Sequence, residues 1–370
     1  MRANGSAEVV VIGAGVVGLG VAWAAARRGL RVRVIERAAD GQPEGAASAV
    51  AAGMLAPVSE ADVGEQALLD LGLRAAEAWP AFAEELHRAS DEDPGYRRCG
   101  TLLVARGEDE RRALERELVL REQLGLRVEK LLPTAARALA PALAPTVRLA
   151  LLAADDHAVD PRRLRRALLV AAQRDGVVVQ TGTEVARIAL DGDRAVGVEL
   201  ADATRIDAAQ VVVAGGAWSG AELGLPPAAR VPVRPVKGQI LRLRDPEGPG
   251  LLDRVLRFEG GYLVPRGDGR YVLGATMEER GFDTAVTAGG VYELLRDAID
   301  LVPGLSELVI EESAVGLRPG VPDNTPILGR SDVVDGLVWA TGHHRNGILL
   351  ASVTGELVAD VLTTARQVVA

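Results

Sequence analysis

The sequence predicts an α/β fold in which an antiparallel-sheet domain interrupts an α/β domain. Three observations carry this. A strand of buried type, a glycine turn and a helix follow one another from Glu8 to Arg28. A second strand, glycine turn and helix close the chain from Leu337 to about Leu362. Between them, residues 226–320 hold short alternating segments that read as antiparallel strands.

The first unit begins with the apolar run Glu8-Val-Val-Val-Ile12, followed by Gly13-Ala-Gly15-Val-Val-Gly18. The alanine-rich stretch Val16 to Arg28 predicts a helix that stops at Gly29. Leu30 to Ile35 alternates as a strand and ends at Glu36, 18 residues after Gly18. Strand, glycine turn, helix, strand and acid together read as a dinucleotide site. Gly13 permits the tight turn, Gly15 lets a pyrophosphate approach the main chain, and Gly18 lets helix and strand pack closely. The free N–H groups of the helix favour the phosphates. Glu36 suits a ribose diol and disfavours a 2′-phosphate, although Arg37 weakens that exclusion. Val9–Ala26 is uncharged over 18 residues, the length of a marginal membrane span. Its four glycines, the flanking Glu8 and the following periodic segment argue against that reading.

Gly45 to Met54 holds no side chain larger than valine before the methionine. Such a run suits backbone laid along a flat ligand, or else a tight helix contact. Further on, 61–90 has helical spacing, 99–104 reads as a strand and 108–126 as a charged surface helix. Asp160-Pro161 marks an N-cap and first helical residue of a helix to about Asp175. Short strands are expected at 177–180, 185–190, 196–200 and 205–213, with Asp191-Gly192 as a hairpin. Prolines crowd 226–235, which suggests a crossing between domains. Strands are expected at 239–243, 262–265 and 271–275, and 316–323 reads as a turn-rich loop. In the last unit the glycine turn and the start of the following helix offer a second place for a phosphate or the polar edge of a ring.

Composition narrows the function. At ~150 residues per domain, 370 residues suggest two domains or one large one. Apolar residues at 48% and charged residues at 25% exclude disorder, collagen and coiled coil. Cys99 is the single cysteine, so no internal disulfide can form and a reduced compartment fits. A net charge of −9 with 3% aromatics makes a poor nucleic-acid binder. Lys130 and Lys237 are the two lysines among 42 basic residues, so an ordinary arginine here reflects codon bias. The retention of Lys237 hints at a compact ammonium with a purpose; the alternative is a chance lysine at a strand end. His87, His157, His343 and His344 show no metal-ligand spacing, and no metal is expected.

The chain resembles the FAD-dependent D-amino-acid oxidase superfamily, most closely its glycine oxidase branch associated with thiamine thiazole synthesis. The motifs, in order, are Val11–Gly18, Ser48–Leu55, Val233-Arg-Pro-Val-Lys-Gly-Gln239, Tyr262-Leu-Val-Pro-Arg266, Gly274-Ala-Thr-Met277, Gly316-Leu-Arg-Pro-Gly320 and Gly342-His-His-Arg-Asn-Gly-Ile-Leu-Leu350. The resemblance implies a Rossmann-like FAD-binding domain (1–90, 150–225 and 321–370) and an antiparallel-sheet substrate domain (91–149 and 226–320), as in glutathione-reductase-type flavoproteins. It implies that Arg318 grips the substrate carboxylate, that Tyr262 donates its hydroxyl to it, and that Arg345 stands near the reacting end. FAD would be held by Gly13, Gly15, Val16, Val17 and Gly18, with Glu36, Arg37 and Val185 at the adenosine side. Ser48, Ala52, Gly53 and Met54 would line its middle and ring. Gly342, His343, His344, Arg345, Asn346, Gly347, Ile348 and Leu349 would lie against the flavin, and Met277 would sit in the substrate pocket.

No cysteine follows Cys99, so the flavin is expected to be noncovalent. The implied activity is oxidative deamination of glycine or another small amino acid in the cytoplasm. A hydride passes from the α-carbon to FAD N5, O2 becomes H2O2, and the imine hydrolyses to a 2-oxo acid and ammonia. A D-amino-acid or N-methyl amino-acid oxidase or dehydrogenase with another acceptor is the alternative, since a methyl group is worth only ~1–3 kcal/mol in a pocket. Neither nucleic acid nor membrane is an expected partner, while a homo-oligomer and a thiazole synthase partner are compatible with the resemblance. Gly260-Gly261 stand where some relatives carry a histidine, which suggests a wider pocket mouth.

Overall fold

The computed structural model describes residues 7–41 and 43–364. The extremes of the expected first domain, 1–6 and 365–370, lie outside the described residues.

Ala7–Ile12 lies at the centre of the first sheet. Val9, Val10 and Val11 are all buried, so the strand is covered on both faces, as an unbroken apolar run requires. It pairs in parallel with Val32–Ile35 and, through it, with Val178–Gln180. On its other side it pairs with Arg205–Val213 and, through that strand, with Leu337–Thr341. Ile327–Arg330 forms an antiparallel edge, and the Val185–Asp191/Arg194–Leu200 hairpin joins the first half of Arg205–Val213. Parallel neighbours need a crossover, and the helix Val16–Arg27 supplies the first. It shares one core with the helices Gln66–Ser90, Pro161–Arg174 and Ala351–Thr363, through Leu19, Trp79, Leu164 and Val358. The Asp160 carboxylate caps its helix, accepting from Arg162 N at 2.9 Å and Arg163 N at 3.4 Å.

The second sheet runs Val309–Gly320, Arg234–Arg244, Arg270–Gly274, Gly261–Pro265, Val255–Phe258, Thr101–Ala105, Leu149–Ala153 and Glu129–Leu131. Its neighbours are antiparallel except Val255–Phe258 with Thr101–Ala105. The helix Ala288–Leu301 packs on it through Leu294, Ala298 and Leu301. Leu149–Ala153 pairs within this sheet, whereas the expected division opened the α/β domain's second piece at 150. By sheet membership we propose 91–153 and 226–320 as the inserted unit.

Three expectations are corrected. Residues 316–320 belong to a strand of 12 residues, Val309–Gly320, rather than to a loop. Glycine and proline read as breakers, but this is an edge strand, where Pro319 needs no ladder partner for the N–H it lacks. Residues 61–65 precede the helix, which begins at Gln66. The closing helix begins only at Ala351, and Ala351 and Ser352 are buried in the core. The cavity therefore meets an irregular turn, 342–350, and not a second helix N-terminus.

Candidate active site

A cavity of about 420 Å³ runs between the two sheets. One end is built by the first glycine turn. Gly13 has φ +105°, a conformation open to glycine, and its N–H donates to Ile35 O at 2.8 Å. Ala14 N then donates to Glu36 Oε2 at 2.9 Å, and Ala38 N to Glu36 Oε1 at 3.0 Å. The buried carboxylate is thus oriented by main chain on both oxygens, with lone pairs left over for a ligand diol. Ser48 Oγ accepts from Val16 N at 3.1 Å, which ties the small-residue segment to the helix start. Gly18 does not line the cavity; an added Cβ there would fall on Gly13 O, so it serves the helix–strand contact.

Arg165 was missed by sequence reasoning. It lines this end, buried, with Nε donating to Ala14 O at 2.8 Å and an amino group donating to Gly41 O. A signal existed. Arg165 falls in the apolar stripe Pro161, Leu164, Leu168 and Ala171 of its helix, where a surface arginine does not belong. Arg37 lies 4.1 Å from the ring centroid of Trp218, which also lines the cavity beside Val185. Ala46–Met54 lines the length of the cavity, including Ser48, Ala52, Gly53 and Met54.

The far end gathers Tyr262, Arg318, Arg345 and Glu60. Arg318 is directly opposite Val236 in the ladder, and its Nη1 donates to Lys237 O at 3.3 Å and Thr276 O at 3.2 Å. Both acceptors are uncharged, and among the described residues no carboxylate pairs with this guanidinium. Burial pushes the Tyr262 phenol up, against the pull of the adjacent Arg318. Glu60, also missed, stands 3.9 Å from Arg345. His344 borders the cavity with φ +46°, and its N–H donates to Pro319 O at 3.0 Å. Burial brings both His343 and His344 down to about 4, so neither is charged at neutral pH.

Other expected residues lie elsewhere. Met277 is 59% exposed and outside the cavity, because its neighbours Thr276 and Glu278 turn inward to the Arg234–Arg244 strand. Leu349 packs in the α/β core, and its carbonyl accepts from Trp79 Nε1 at 2.7 Å. Leu349 and Asn346 border a smaller hollow beside Glu60, and Gly342 borders neither. Gly260 and Gly261 do not line the cavity, and added Cβ atoms there would meet Asp297 Oδ2 and, at 261, Gly274 O and the Phe258 ring. Cys99 does not line the cavity, and among the described residues no cluster of three or more His, Cys, Asp or Glu is placed to hold a metal.

The cavity fits an extended dinucleotide: an acid oriented by main chain and a helix start at one end, small residues along its length, and a cationic pocket at the other. A sequence model described as FAD dependent oxidoreductase matches residues 8–361. The bifunctional protein ThiO/ThiG of Trichormus variabilis is 37% identical over 362 residues, covering 97% of this chain and 53% of that protein. The chain thus spans about half the length of that relative. A glycine oxidase of Geobacillus kaustophilus is 35% identical over 361 residues, covering 96% of this chain and 92% of the relative. A crystal structure of glycine oxidase from that organism superposes with a TM-score of 0.89 at 34% identity, covering 96% of this chain and 94% of that one.

Proposed function

We propose that this chain, which belongs to the FAD dependent oxidoreductase family, oxidatively deaminates glycine or another small amino acid. One observation carries the reading. The Arg318 guanidinium and the Tyr262 hydroxyl converge on the end of the cavity opposite Glu36, and the guanidinium's fixed partners are neutral carbonyls. A planar cation so placed suits a carboxylate taken up from solution. The likeness to glycine oxidases supports a small amino acid as its bearer.

FAD would be held by Gly13–Val17 at its diphosphate, by Glu36, Arg37 and Val185 at its adenosine side, by Ser48–Met54 along its length and by His343, His344, Arg345, Gly347 and Ile348 at its ring. Bound there, it supplies the hydride acceptor that the reaction requires. Arg318 and Tyr262 hold the carboxylate at two points and so fix the α-carbon. The raised pKa of Tyr262 keeps its phenol a donor throughout the neutral range. Ile240, Leu317 and Ile348 line the same cavity, and their apolar surface strengthens each charged hydrogen bond within it. Oxygen is the proposed second substrate; hydrogen peroxide, the 2-oxo acid and ammonia are the products. We place the reaction upstream of thiazole synthesis, with a thiazole synthase as partner and a homo-oligomer as the working form. No described helix is long and apolar enough to cross a membrane, and a cytoplasmic location is part of the proposal.

The test mixes FAD-loaded protein with glycine without oxygen. Bleaching of the flavin, and peroxide formation on admitting air, are expected; unchanged colour with glycine, sarcosine and D-alanine alike overturns the reading. Arg318→Ala is expected to retain FAD and to raise KM about a hundredfold, since two charge-assisted hydrogen bonds are lost.

A further inference from the structure

We propose that Lys237 is the positioning residue of the carboxylate site: its buried ammonium pins the strap 276–287, and the junction of strap and strand seats the Arg318 guanidinium. This rests on the reading of Arg318 as the carboxylate anchor.

Lys237 is fully buried within the Arg234–Arg244 strand, in a chain whose basic residues are otherwise almost all arginine. A buried ammonium is costly unless paired and hydrogen-bonded. Here Nζ donates to Asp283 Oδ2 at 2.6 Å and Ala285 O at 2.6 Å, with Glu278 Oε2 at 3.8 Å. A compact ammonium meets this arrangement of acceptors, and a planar fork does not. All three partners belong to the strap, two of them in its second half, so the charge is spent on holding that segment.

The strap leaves the Arg270–Gly274 strand and runs to the Ala288–Leu301 helix. At its start it is bridged to the strand by Lys237 N donating to Glu278 O and Glu278 N donating to Lys237 O, both at 3.0 Å. At its end Gln239 Nε2 donates to Thr287 Oγ1 at 3.0 Å, and Thr287 N donates to Gln239 Oε1 at 2.9 Å. Between these ties it crosses to the α/β domain. Phe282 stacks on Trp218 at 5.7 Å, and Thr284 Oγ1 donates to Glu44 Oε1 at 2.7 Å.

The carbonyls that hold Arg318 are those of Lys237 and Thr276, one from each side of the strap's first tie. The guanidinium reaches them across Gly238, where an added Cβ would stand 2.5 Å from Nη1. Its place is therefore set by main chain, and that main chain is held by the Lys237 ammonium. Removing the ammonium frees Asp283 and Ala285, loosens the bridge at Glu278 and lets the two carbonyls drift apart.

The test compares FAD-loaded wild type with Lys237→Met. It follows KM and kcat for glycine, and acetate binding read from the shift in flavin absorbance. Loss of the guanidinium's seat is expected to weaken glycine KM and acetate Kd in parallel, about tenfold, with kcat within about twofold and FAD content unchanged. A general structural role would lower kcat and FAD content together with affinity, and that pattern overturns the proposal, as do unchanged KM and acetate Kd. Should Lys237→Met not fold, Asp283→Asn at the half-exposed end of the pair is read instead. About a threefold weakening of the same two constants supports the proposal, and no weakening overturns it. Wild type that binds acetate without oxidising any small amino acid refutes the proposed function and leaves the acetate comparison as the test of Lys237.

Discussion

Arg165 orders the nucleotide turn through Ala14 O and Gly41 O, in a helix where Arg163 and Arg166 bind the surface acids Asp93 and Glu92. Removing it leaves two buried carbonyls without a donor, at about 1–3 kcal/mol for each unsatisfied group. Arg165→Met is therefore expected to weaken FAD at least tenfold, measured by titrating the FAD-free protein, while glycine KM at saturating FAD stays within about twofold. An unchanged FAD affinity would show that the turn is ordered without it. Arg165 also marks what the sequence hides. Forty arginines dilute the meaning of each, and only its phase within an apolar stripe separates it from its neighbours. Glu36 and Arg318 were legible because each stands alone in its context, one closing a strand and the other set between glycines and prolines.

At the scale of the element, the first strand, turn, helix and strand were readable because local signals agree there. The apolar run is long enough for two-sided burial, and glycine stands where φ is positive. The same logic failed at 316–320, where local signals say turn and the pairing of the Arg234–Arg244 and Val309–Gly320 strands overrides them. The helix Ala288–Leu301 was missed because Gly289 and Gly290 mask its start, although Thr287 Oγ1 caps it by accepting from Gly290 N at 3.2 Å. In that strand pair, Gly238 is the gap over which Arg318 lies, and a methyl group there meets the guanidinium rather than backbone. Gly238→Ala is expected to raise glycine KM at least tenfold by pushing Arg318 off its carbonyls, with a thermal midpoint within a few degrees of wild type. A KM that does not move would mean that the guanidinium has room to shift without losing the carboxylate.

For the whole molecule, the pH dependence of stability follows from the titratable groups that the fold buries. His343 lies within the core, its Nε2 3.2 Å from Thr354 Oγ1, and burial lowers its pKa from 6.5 to about 4. In the unfolded chain the imidazole takes a proton below pH 6.5, whereas in the folded chain it waits until about 4. Between those values the unfolded state binds more protons, so stability from this group is fully present above pH 6.5 and is lost as pH falls toward 4. The difference of the two values corresponds to about 3 kcal/mol at the bottom of that window. His344, lowered to a similar value, acts in the same direction. Asp156, fully buried and raised by that burial from 3.8 to about 7, acts in the opposite one: its stability is present at low pH and lost as pH rises toward 7. The wild-type curve is thus a sum of opposed contributions, and a single profile does not assign it. His343→Gln isolates one of them, because the amide can still meet Thr354 Oγ1 and does not titrate. The thermal midpoint of wild type relative to His343→Gln is expected to be flat above pH 6.5 and to fall steadily from there to pH 4.5. A difference that stays constant across that range would mean that His343 takes up its proton in the folded protein as readily as in the unfolded chain, and that the turn carrying it at the cavity wall opens to water.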